Sequence, residues 1–513
     1  MTVVRQNRYF DSVFLMQVAH RIAALPGLRD AQAVLGTPAN RKALEGMGYE
    51  VAACGPNDLV LALEGEADAV AAVAADPEAW LARGSGTPGQ APEPRTLAQA
   101  AAERPDAGVA VISVPGQHAA REARAALGAG LHVFLFSSNV SVEDELALKT
   151  EARDRGLIVM GPDCGTAYLA GAGLGFANAV RRGPIGVVGS TGTGMQEFSC
   201  LVHRAGSGLS HGIGTGSRDL SDRIGGLSTL AALDALEADP MTRVVAVLAK
   251  PPGPATAARL WERLDRCAKP VVLCLLGAEP APAAGRIQPA ATLDKAAGLA
   301  LAAAGVPVPG FLAPDPYALC AAAADQAARM GPGQRWLRGL FSGGTLCYQA
   351  QAILRGAGLT VHSNAPLPGM ADLPDPDRSR EHTLVDLGAE VFVAGRPHPM
   401  IDATLRRQRL EREGADPEVA LVLLDFVLGT ISSRDPVGDL LGAVGAAQAA
   451  ARRRGGHLCV AASVCGTDED AQGLQAQAQA LAERGVLVFP TAAQAAAFCG
   501  ETLGLLAARK GGA

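Results

Sequence analysis

Two glycine-rich segments of this chain have the composition of loops that hold an anion. GSTGTG at 189–194 follows a short apolar run and precedes a predicted helix over 195–205. SGGT at 342–345 also follows a short strand-like run and precedes a predicted helix, over 346–354. The first N–H groups of a helix have no partner within the helix, and the helix dipole adds positive charge there, so a strand–loop–helix turn favours a phosphate. The residues assigned to phosphate binding are Gly189, Ser190, Thr191, Gly192, Thr193, Ser342, Gly343, Gly344 and Thr345.

The 189–194 loop alone is equally typical of an ordinary strand-to-helix turn, and the 342–345 loop alone is a weaker signal, because a double glycine after a strand is common. Neither has the lysine of a G-x-x-x-x-G-K-[ST] phosphate loop. Together they are more informative, because two regions of the chain open with the same strand–loop–helix pattern, as an internal repeat does. Two similar domains that face each other would bring both helix N-termini to one crevice.

Three further segments follow predicted strands in a βαβαβ pattern: VPGQH at 114–118, SSN at 137–139 and GPDCGT at 161–166. Ligands bind at the carboxyl ends of the strands of open parallel sheets. Any one segment is more typical of a plain turn, but the three together indicate a nucleotide or coenzyme A crevice.

The segment GRPHPMID at 395–402 offers groups for acid–base chemistry or anion binding. It follows an apolar run, Val391–Ala394, that we interpret as a strand. Arg396 can bind a phosphate or carboxylate through two hydrogen bonds, and His398 can transfer protons. A solvated loop histidine is the alternative for His398. No histidine or cysteine spacing indicates a metal site, and we predict none.

Composition indicates the elements that position these loops. Hydrophobic residues make up 49% of the 513 residues and aromatic residues 4%, which suits aliphatic parallel sheets covered by helices. We therefore predict a multi-domain α/β fold. The predicted domains are 1–104 with a Pro/Gly-rich linker at 84–96, 105–182, 183–325 and 334–513.

Charge and hydropathy limit the partners that we expect. The net charge of -6 argues against a large nucleic-acid footprint. The N-terminus lacks the apolar segment of a signal peptide, and no uncharged apolar run reaches the ~18 residues of a membrane helix. We expect a cytoplasmic protein that contacts neither membrane nor nucleic acid.

The motifs resemble the succinyl-CoA synthetase family. GPDCGT, PIGVVGSTGTGMQE at 184–197 and HGIGTG at 211–216 are similar to its α-chain, a resemblance that covers about 105–310. FSGGTLCYQA at 341–350 resembles the ligase domain of the β-chain. FDSVFLM at 10–16 and GRPHPMID at 395–402 add to these motifs. The order of all of them along the chain is similar to that of FdrA proteins, and this resemblance spans nearly the full chain. The resemblance implies a small N-terminal α/β domain, a CoA-binding Rossmann-like domain and two flavodoxin-like ligase domains.

The resemblance also implies roles by position. The family lines its CoA site at the places of Val114, Pro115, Ser137, Asn139, Pro162 and Asp163. Asp163 stands where the family has an asparagine, so a charge replaces an amide. The two glycine-rich loops match the opposed phosphate loops of the family.

Two departures separate this chain from the synthetases. Their phosphate-accepting histidine has no counterpart in AAGRIQPAATLDKAAG at 283–298, and the glutamate that holds it is replaced by Lys250. A phosphohistidine relay needs both groups. We take Lys250, Arg396 and His398 as the catalytic candidates.

The resemblance therefore implies an acyl-CoA synthetase-like subunit that transfers an acyl or carbamoyl group without that relay. CoA and an acyl or carbamoyl phosphate are the expected small molecules, and partner subunits or a homo-oligomer are the expected assemblies. Some FdrA proteins are linked to oxamate carbamoyltransferase in purine or allantoin degradation, which is one alternative. The other is a non-catalytic subunit that senses CoA or phosphate.

Overall fold

The computed structural model describes residues 1–511 except Asn7, Tyr9, Asp11, 82–93, Arg95, 280–282 and 394–395. The chain divides into two compact units. One comprises Met1–Ala100 and Glu390–Pro397, and the other comprises Ala101–Ala389 and His398–Ala513. The predicted linker at 84–96 lies largely outside the described residues.

The first unit is a small α/β fold with a three-stranded antiparallel sheet in the order β1-β3-β2. Its β3, LVLALEG, has five consecutive buried residues because helices cover it. The elements are β1 (Thr2–Arg5), α1 (Ser12–Ala23), β2 (Leu28–Leu35), α2 (Pro38–Gly46), β3 (Leu59–Gly65), α3 (Ala67–Ala75), α4 (Pro77–Leu81) and α5 (Leu97–Glu103), which ends in the second unit.

The second unit begins with a three-stranded parallel sheet in the order β4-β5-β6. Alanines at helical spacing on α6 pack against it, with Ala119 and Ala123 fully buried. The elements are β4 (Val109–Ile112), α6 (Gly116–Gly128), β5 (His132–Leu135), α7 (Val142–Asp154) and β6 (Val159–Met160). The predicted βαβαβ pattern is confirmed.

The next seven-stranded sheet has the order β13-β12-β11-β9-β10-β7-β8. One of its inner strands, β11 with the sequence VVAVLA, is buried at every position, as expected for a parallel strand covered on both faces. The elements are β7 (Thr166–Leu169), β8 (Ala172–Gly175), β9 (Arg182–Gly189), α8 (Gly192–Arg204), β10 (Leu209–Gly214), α9 (Leu227–Ala238), β11 (Val244–Ala249), α10 (Pro254–Asp265), β12 (Val271–Leu275), β13 (Ile287–Ala290) and α11 (Leu293–Ala303).

The last sheet is parallel throughout, in the order β16-β15-β17-β14-β18-β19-β20. A 3-10 turn (Gly310–Leu312) precedes it. The elements are α12 (Pro316–Arg329), β14 (Trp336–Phe341), α13 (Gly344–Gly356), β15 (His362–Ser363), β16 (Ala371–Asp372), β17 (Thr383–Asp386), α14 (Glu390–Val393, in the first unit), α15 (Thr404–Ala415), β18 (Val419–Val427), α16 (Gly438–Arg453), β19 (Cys459–Cys465), α17 (Leu474–Glu483), β20 (Leu487–Phe489) and α18 (Ala492–Gly511).

Both large sheets contain the flavodoxin-like order 2-1-3-4-5. In the first, β10, β9, β11, β12 and β13 take these places, and in the second β17, β14, β18, β19 and β20 do. The connections of such a sheet reverse direction between its first and third strands, and ligands bind outside the carboxyl ends of those strands. The 189–194 loop follows β9, and the 342–345 loop follows β14. The predicted fold class is confirmed, and each predicted loop lies at a switch point.

Two local predictions differ from the structure. The run Val391–Ala394 is not a strand, because Glu390–Val393 forms the short helix α14 and Ala394 is not described. A four-residue apolar run does not distinguish a strand from a helical turn. The hairpin β7–β8 pairs with β10, so this part of the predicted 105–182 domain belongs to the first large sheet. None of the described helices is long and apolar enough to cross a membrane.

Candidate functional site

The helix that follows the 189–194 loop, α8, is capped at its N-terminus by a side chain of the loop. Thr191 has an extended backbone, and its hydroxyl accepts a hydrogen bond from Gly194 N–H at 3.2 Å. Such a cap stabilises a helix by about 1 kcal/mol. It uses one of the four unpaired N–H groups of α8 and leaves those of Gly192 and Thr193 without a protein acceptor among the described residues.

The 342–345 loop is built differently, because an internal carboxylate binds its first two N–H groups. Ser342 and Gly343 each donate a backbone hydrogen bond of 2.7 Å to Asp425, which is buried on β18. The buried guanidinium of Arg406 donates to the same carboxylate at 2.8 Å and also binds Leu340 O. Of the residues predicted to bind phosphate here, Ser342 and Gly343 thus already hold an anion. Gly344 and Thr345 begin the open end of α13.

The two loops meet, as their matched positions predicted. The hydroxyls of Thr191 and Thr345 are hydrogen-bonded to each other. Thr345 N–H also donates to the Thr193 hydroxyl at 3.4 Å. Gly194 permits this approach, since a Cβ atom there would lie 2.9 Å from the methyl group of Thr345 and 2.7 Å from the Thr191 hydroxyl. One crevice therefore contains the N-termini of α8 and α13.

Backbone N–H groups with no protein acceptor remain at this junction. Among the described residues these include Gly192 and Thr193 at the start of α8 and Gly344 at the start of α13. Two helix dipoles add partial positive charge at the same place. Such an arrangement binds a multiply charged oxyanion such as a phosphate.

Lys250 brings a full positive charge to the same edge. It directly follows β11, the strand beside β9 at the switch point, and its side chain is exposed. Its Nζ lies 4.6 Å from the ring centroid of Tyr348, on α13. No described residue forms an ion pair with it, so the ammonium is available to a ligand.

Asp386, at the carboxyl end of β17, is a site residue that the sequence did not single out. Its Oδ1 accepts a 2.9 Å hydrogen bond from Gly388 N–H. Its Oδ2 lies against Gly344, where a Cβ atom would be only 2.5 Å away. Burial raises the pKa of the Asp386 carboxyl to about 6, although the Gly388 N–H and the charge of Lys250 both act to lower it. The available signal was a lone acid at the end of an apolar strand, TLVD.

His398 lies close to the 342–345 loop. A Cβ atom on Gly388 would be 2.7 Å from His398 Nε2 and 3.1 Å from Ser342 O, and the ring centroid of Phe176 is 5.5 Å from that of the imidazole. Nδ1 accepts from Met400 N–H at 3.3 Å. Burial lowers the pKa of His398 to about 4, so the imidazole is neutral at pH 7 and its proton is on Nε2. It is a half-buried donor and not the solvated loop histidine of the alternative interpretation.

Arg396 lies in the first compact unit. It belongs to the segment Glu390–Pro397, which groups with the first compact unit, and its side chain is exposed. Its N–H donates to Val393 O at 3.1 Å. Of the three catalytic candidates, Lys250 and His398 lie in the unit that contains the two loops, and Arg396 lies in the first unit.

The residues predicted to bind CoA converge at the carboxyl ends of β4, β5 and β6. The Ser137 hydroxyl donates to Val114 O at 2.6 Å, and Asp163 N–H donates to Ser137 O at 3.0 Å, so all three loops are joined. Asn139 and Asp163 have positive φ angles of 58° and 57° and exposed side chains. Pro115, also exposed, immediately precedes α6, and Pro162 is buried.

This edge is continuous with the two-loop crevice. A Cβ atom on Gly192 would lie 3.4 Å from the hydroxyl of Thr166, the residue that ends GPDCGT. The Thr166 hydroxyl donates to Phe176 O at 2.9 Å, and Phe176 packs on His398. Contacts through the buried Thr166 and Phe176 therefore link the predicted CoA edge, the phosphate loops and His398.

The stretch 283–298, which we align with the histidine segment of the synthetases, contains no histidine. It contains β13 and the start of α11. Leu293 N–H, in the first turn of α11, donates to the side chain of Gln349 at 2.8 Å, so a residue of α13 caps this helix. This hydrogen bond joins the segment to α13.

The described residues contain no group of three or more histidine, cysteine or acidic side chains that could hold a metal ion. Among residues 1–95 the sequence has a single cysteine, Cys54, which is half-buried and free.

The fold and the paired loops define a protein of the succinyl-CoA ligase class. Residues 340–501 match the CoA-ligase domain family, and residues 1–95 match the family described as AllF, heavy metal-associated domain. The chain is 43% identical over 494 residues to YahF of Escherichia coli (strain K12), described as an uncharacterized protein, with 95% of each chain covered. The chain belongs to this family, the FdrA family.

Two further likenesses are more distant. The chain is 28% identical over 147 residues to succinate–CoA ligase [ADP-forming] subunit alpha 2 of Archaeoglobus fulgidus (strain ATCC 49558 / DSM 4304 / JCM 9628 / NBRC 100126 / VC-16), covering 28% of this chain and half of that subunit. The apo dinucleotide-forming acetyl-coenzyme A synthetase 1 of Ca. Korarchaeum cryptofilum is 16% identical. The likeness covers 81% of this chain and 86% of that one, with a TM-score of 0.34.

Proposed function

We propose that the crevice between the 189–194 and 342–345 loops binds the phosphate of an acyl or carbamoyl phosphate and that the protein transfers the acyl or carbamoyl group. The observation that carries this proposal is the junction of two helix N-termini beside the Lys250 ammonium. Among the described residues, the N–H groups of Gly192, Thr193 and Gly344 have no acceptor and the ammonium has no ion-pair partner. An acyl phosphate is the donor chemistry that such a site serves, because its phosphate must be bound and then stabilised as a leaving group.

The chain's own residues supply the remaining requirements. The N–H groups and Lys250 stabilise the negative charge that develops on the departing phosphate. The neutral His398 can donate Nε2–H to the carbonyl oxygen of the donor, because its low pKa keeps it from carrying a charge of its own. No covalent phosphoenzyme is needed, which fits the absence of histidine from 283–298.

Oxamate carbamoyltransferase, with partner subunits, is the specific reaction that we favour. Its donor, carbamoyl phosphate, is a mixed anhydride like the acyl phosphates of the synthetases. The exposed ammonium of Lys250 supports it because oxamate is a carboxylate. Membership of the FdrA family also supports it.

Coenzyme A is the second small molecule to consider. Its place would be along the loops after β4, β5 and β6, where the half-buried Val114 and the exposed Pro115 offer small, apolar surface. The exposed carboxylate of Asp163 opposes phosphate groups at that edge, so the residues suit the neutral arm of CoA better than its nucleotide end. When bound, CoA would supply a thiol as acyl acceptor.

A non-catalytic sensor of phosphate metabolites is the second candidate function. The internal pairing of Asp425 with Ser342 and Gly343 favours it, since half of one loop is already neutralised by the protein itself.

Phosphate release separates these candidates. The purified chain, alone and with partner subunits, is incubated with carbamoyl phosphate plus oxamate, and in a second mixture with succinate, CoA and ATP. We expect acceptor-dependent phosphate release in the first mixture and none in the second. Phosphate binding without release in either mixture would contradict transfer and favour the sensor.

A further inference from the structure

The ammonium of Lys250 lies over an aromatic ring that comes from the other large sheet. Lys250 follows β11 in the first large sheet, and Tyr348 lies on α13, the helix that follows β14 in the second. The distance from Lys250 Nζ to the centroid of the Tyr348 ring is 4.6 Å. An ammonium within about 6 Å of a ring centroid is attracted by the negative face of the ring. The ring therefore limits the positions that this exposed cation can take.

The Tyr348 ring is itself fixed by the turn after β12. The ring is buried, and a Cβ atom on Gly277 would lie 3.0 Å from Tyr348 Cε1, so the ring packs against the backbone of that turn. Gly277 has a φ angle of 82°, a conformation that favours glycine. Arg355, also on α13, donates to Gly277 O at 2.8 Å and to Pro368 O at 3.3 Å. The helix that carries the ring thus also holds the turn on which the ring packs.

Helical spacing brings the ring close to the open end of α13. Gly344 begins this helix, and its N–H has no acceptor among the described residues. Tyr348 comes four residues later, about 6 Å along the helix axis and on the same face. Side chains of a helix lean towards its N-terminus, so the ring points back towards Gly344. An ammonium over this ring therefore lies beside the unpaired N–H groups of the crevice.

A neutral ring holds a cation without cancelling its charge. Burial raises the pKa of the Tyr348 hydroxyl above its ordinary value, so the phenol is uncharged at pH 7. A carboxylate in its place would form an ion pair with Lys250 and compete with any anionic ligand. The ring leaves the positive charge of the ammonium available to such a ligand.

We propose that Tyr348 is a positioning residue whose ring holds the Lys250 ammonium at the N-terminus of α13, where the ammonium meets a bound phosphate. The role given to Lys250 rests on the proposed function, whereas the contact between ring and ammonium does not. Tyr348 acts on the ligand only through Lys250. Removal of the ring should therefore weaken phosphate binding only in a protein that has Lys250.

NMR of methylated lysines tests the contact without any ligand. Reductive methylation of the full-length protein with carbon-13-labelled formaldehyde gives dimethyl-lysines, which keep their positive charge. Protons over the face of an aromatic ring are shifted upfield. We expect the Lys250 signal, assigned by its absence from Lys250→Met, to lie upfield of the signal of Lys295, an exposed lysine on α11. Tyr348→Phe should keep this upfield shift, and Tyr348→Leu should remove it without moving the Lys295 signal.

Phosphate binding tests the positioning role. Calorimetry with inorganic phosphate is done at low ionic strength, where screening is weak. Tyr348→Leu should lower phosphate affinity by about two- to five-fold, as expected for loss of an exposed cation–π contact, and Tyr348→Phe should retain the affinity. In the Lys250→Met background, Tyr348→Leu should cause no further loss, because both changes remove one contact. Tyr317→Leu, at an exposed tyrosine on α12, is the matched control and should bind as the wild type does.

The two experiments distinguish this contact from the proposed function. A wild-type Lys250 signal at the position of the Lys295 signal would overturn the contact, and this result needs no Tyr348 variant. An equal loss of phosphate affinity on Tyr348→Leu with and without Lys250 would show that the ring acts through packing alone, and the positioning role would be wrong. If only the proposed function is wrong, the upfield signal remains in the wild type and disappears in Tyr348→Leu, while Lys250→Met leaves phosphate affinity unchanged.

Discussion

The backbone N–H of Thr345 donates a 3.4 Å hydrogen bond to the hydroxyl of Thr193, so a residue in the first turn of one helix caps the first turn of another. Gly343, the N-cap of α13, has no side chain with which to do so. The two helix N-termini are therefore coupled, and the crevice between them depends on both sheets.

Replacement of Thr193 by valine tests this coupling. The isosteric change removes the acceptor of Thr345 N–H, and we expect a loss of about 1 kcal/mol in the free energy of unfolding. Phosphate affinity should fall several-fold, because the helix ends are no longer held together. Urea denaturation and calorimetry measure the two effects. Thr360→Val, at an exposed position, should leave both unchanged.

The buried pair of Asp425 and Arg406 should be essential for stability. Asp425→Asn leaves the guanidinium of Arg406 without its counter-charge, and we expect a destabilisation of about 3 to 5 kcal/mol. The double variant Asp425→Asn with Arg406→Met should recover part of that loss, because no buried charge remains unpaired. If the two single variants and the double variant gave strictly additive losses, the pair would not interact as described.

The lowered pKa of His382 predicts that the protein loses stability as the pH falls. Its ring packs edge-on against Trp336 at 5.1 Å, its Nδ1 accepts from Leu337 N–H, and burial lowers its pKa to about 4. The unfolded state therefore binds more protons between pH 6.5 and 4, so the stabilisation is present above pH 6.5 and lost as pH falls towards 4. We expect His382→Gln to reduce this pH dependence by roughly 1 to 3 kcal/mol in urea denaturation. His118→Gln, at an exposed position, should keep the wild-type dependence.

The raised pKa of Asp386 predicts that its contribution to stability changes with pH in the opposite direction. Its folded pKa of about 6 is above that of an unfolded aspartate, so its contribution to stability is greatest below pH 3.8 and is lost as pH rises through 6. Asp386→Asn should therefore stabilise the protein at pH 8 by roughly 1 to 2 kcal/mol, allowing for solvent around the half-buried group. The difference should vanish near pH 4. A destabilised variant at pH 8 would contradict the assigned environment.

Much of the fold was predictable because the relevant signals are local. Buried parallel strands such as VVAVLA are continuous apolar runs, and the two glycine-rich loops are marked by composition and by the helices that follow them. Their repeated pattern predicted that they face each other, and the contact between Thr191 and Thr345 confirms it.

The less predictable parts depend on distant contacts. Asp425 is 82 residues from Gly343 in sequence, so nothing near SGGT indicates that a carboxylate satisfies its N–H groups. Asp386 reaches the site only because β17 lies beside β14. The helix at Glu390–Val393 was missed for a local reason. Its four residues are too few for a hydrophobic period that would distinguish a helix from a strand.

A crystal structure of the protein with inorganic phosphate is the decisive test of the two-loop site. We expect a phosphate between the two loops, within hydrogen-bonding distance of the N–H groups of Gly192, Thr193 and Gly344, with the Lys250 ammonium turned towards it. A phosphate bound elsewhere, or none between the loops at saturating concentration, would contradict the two-loop site.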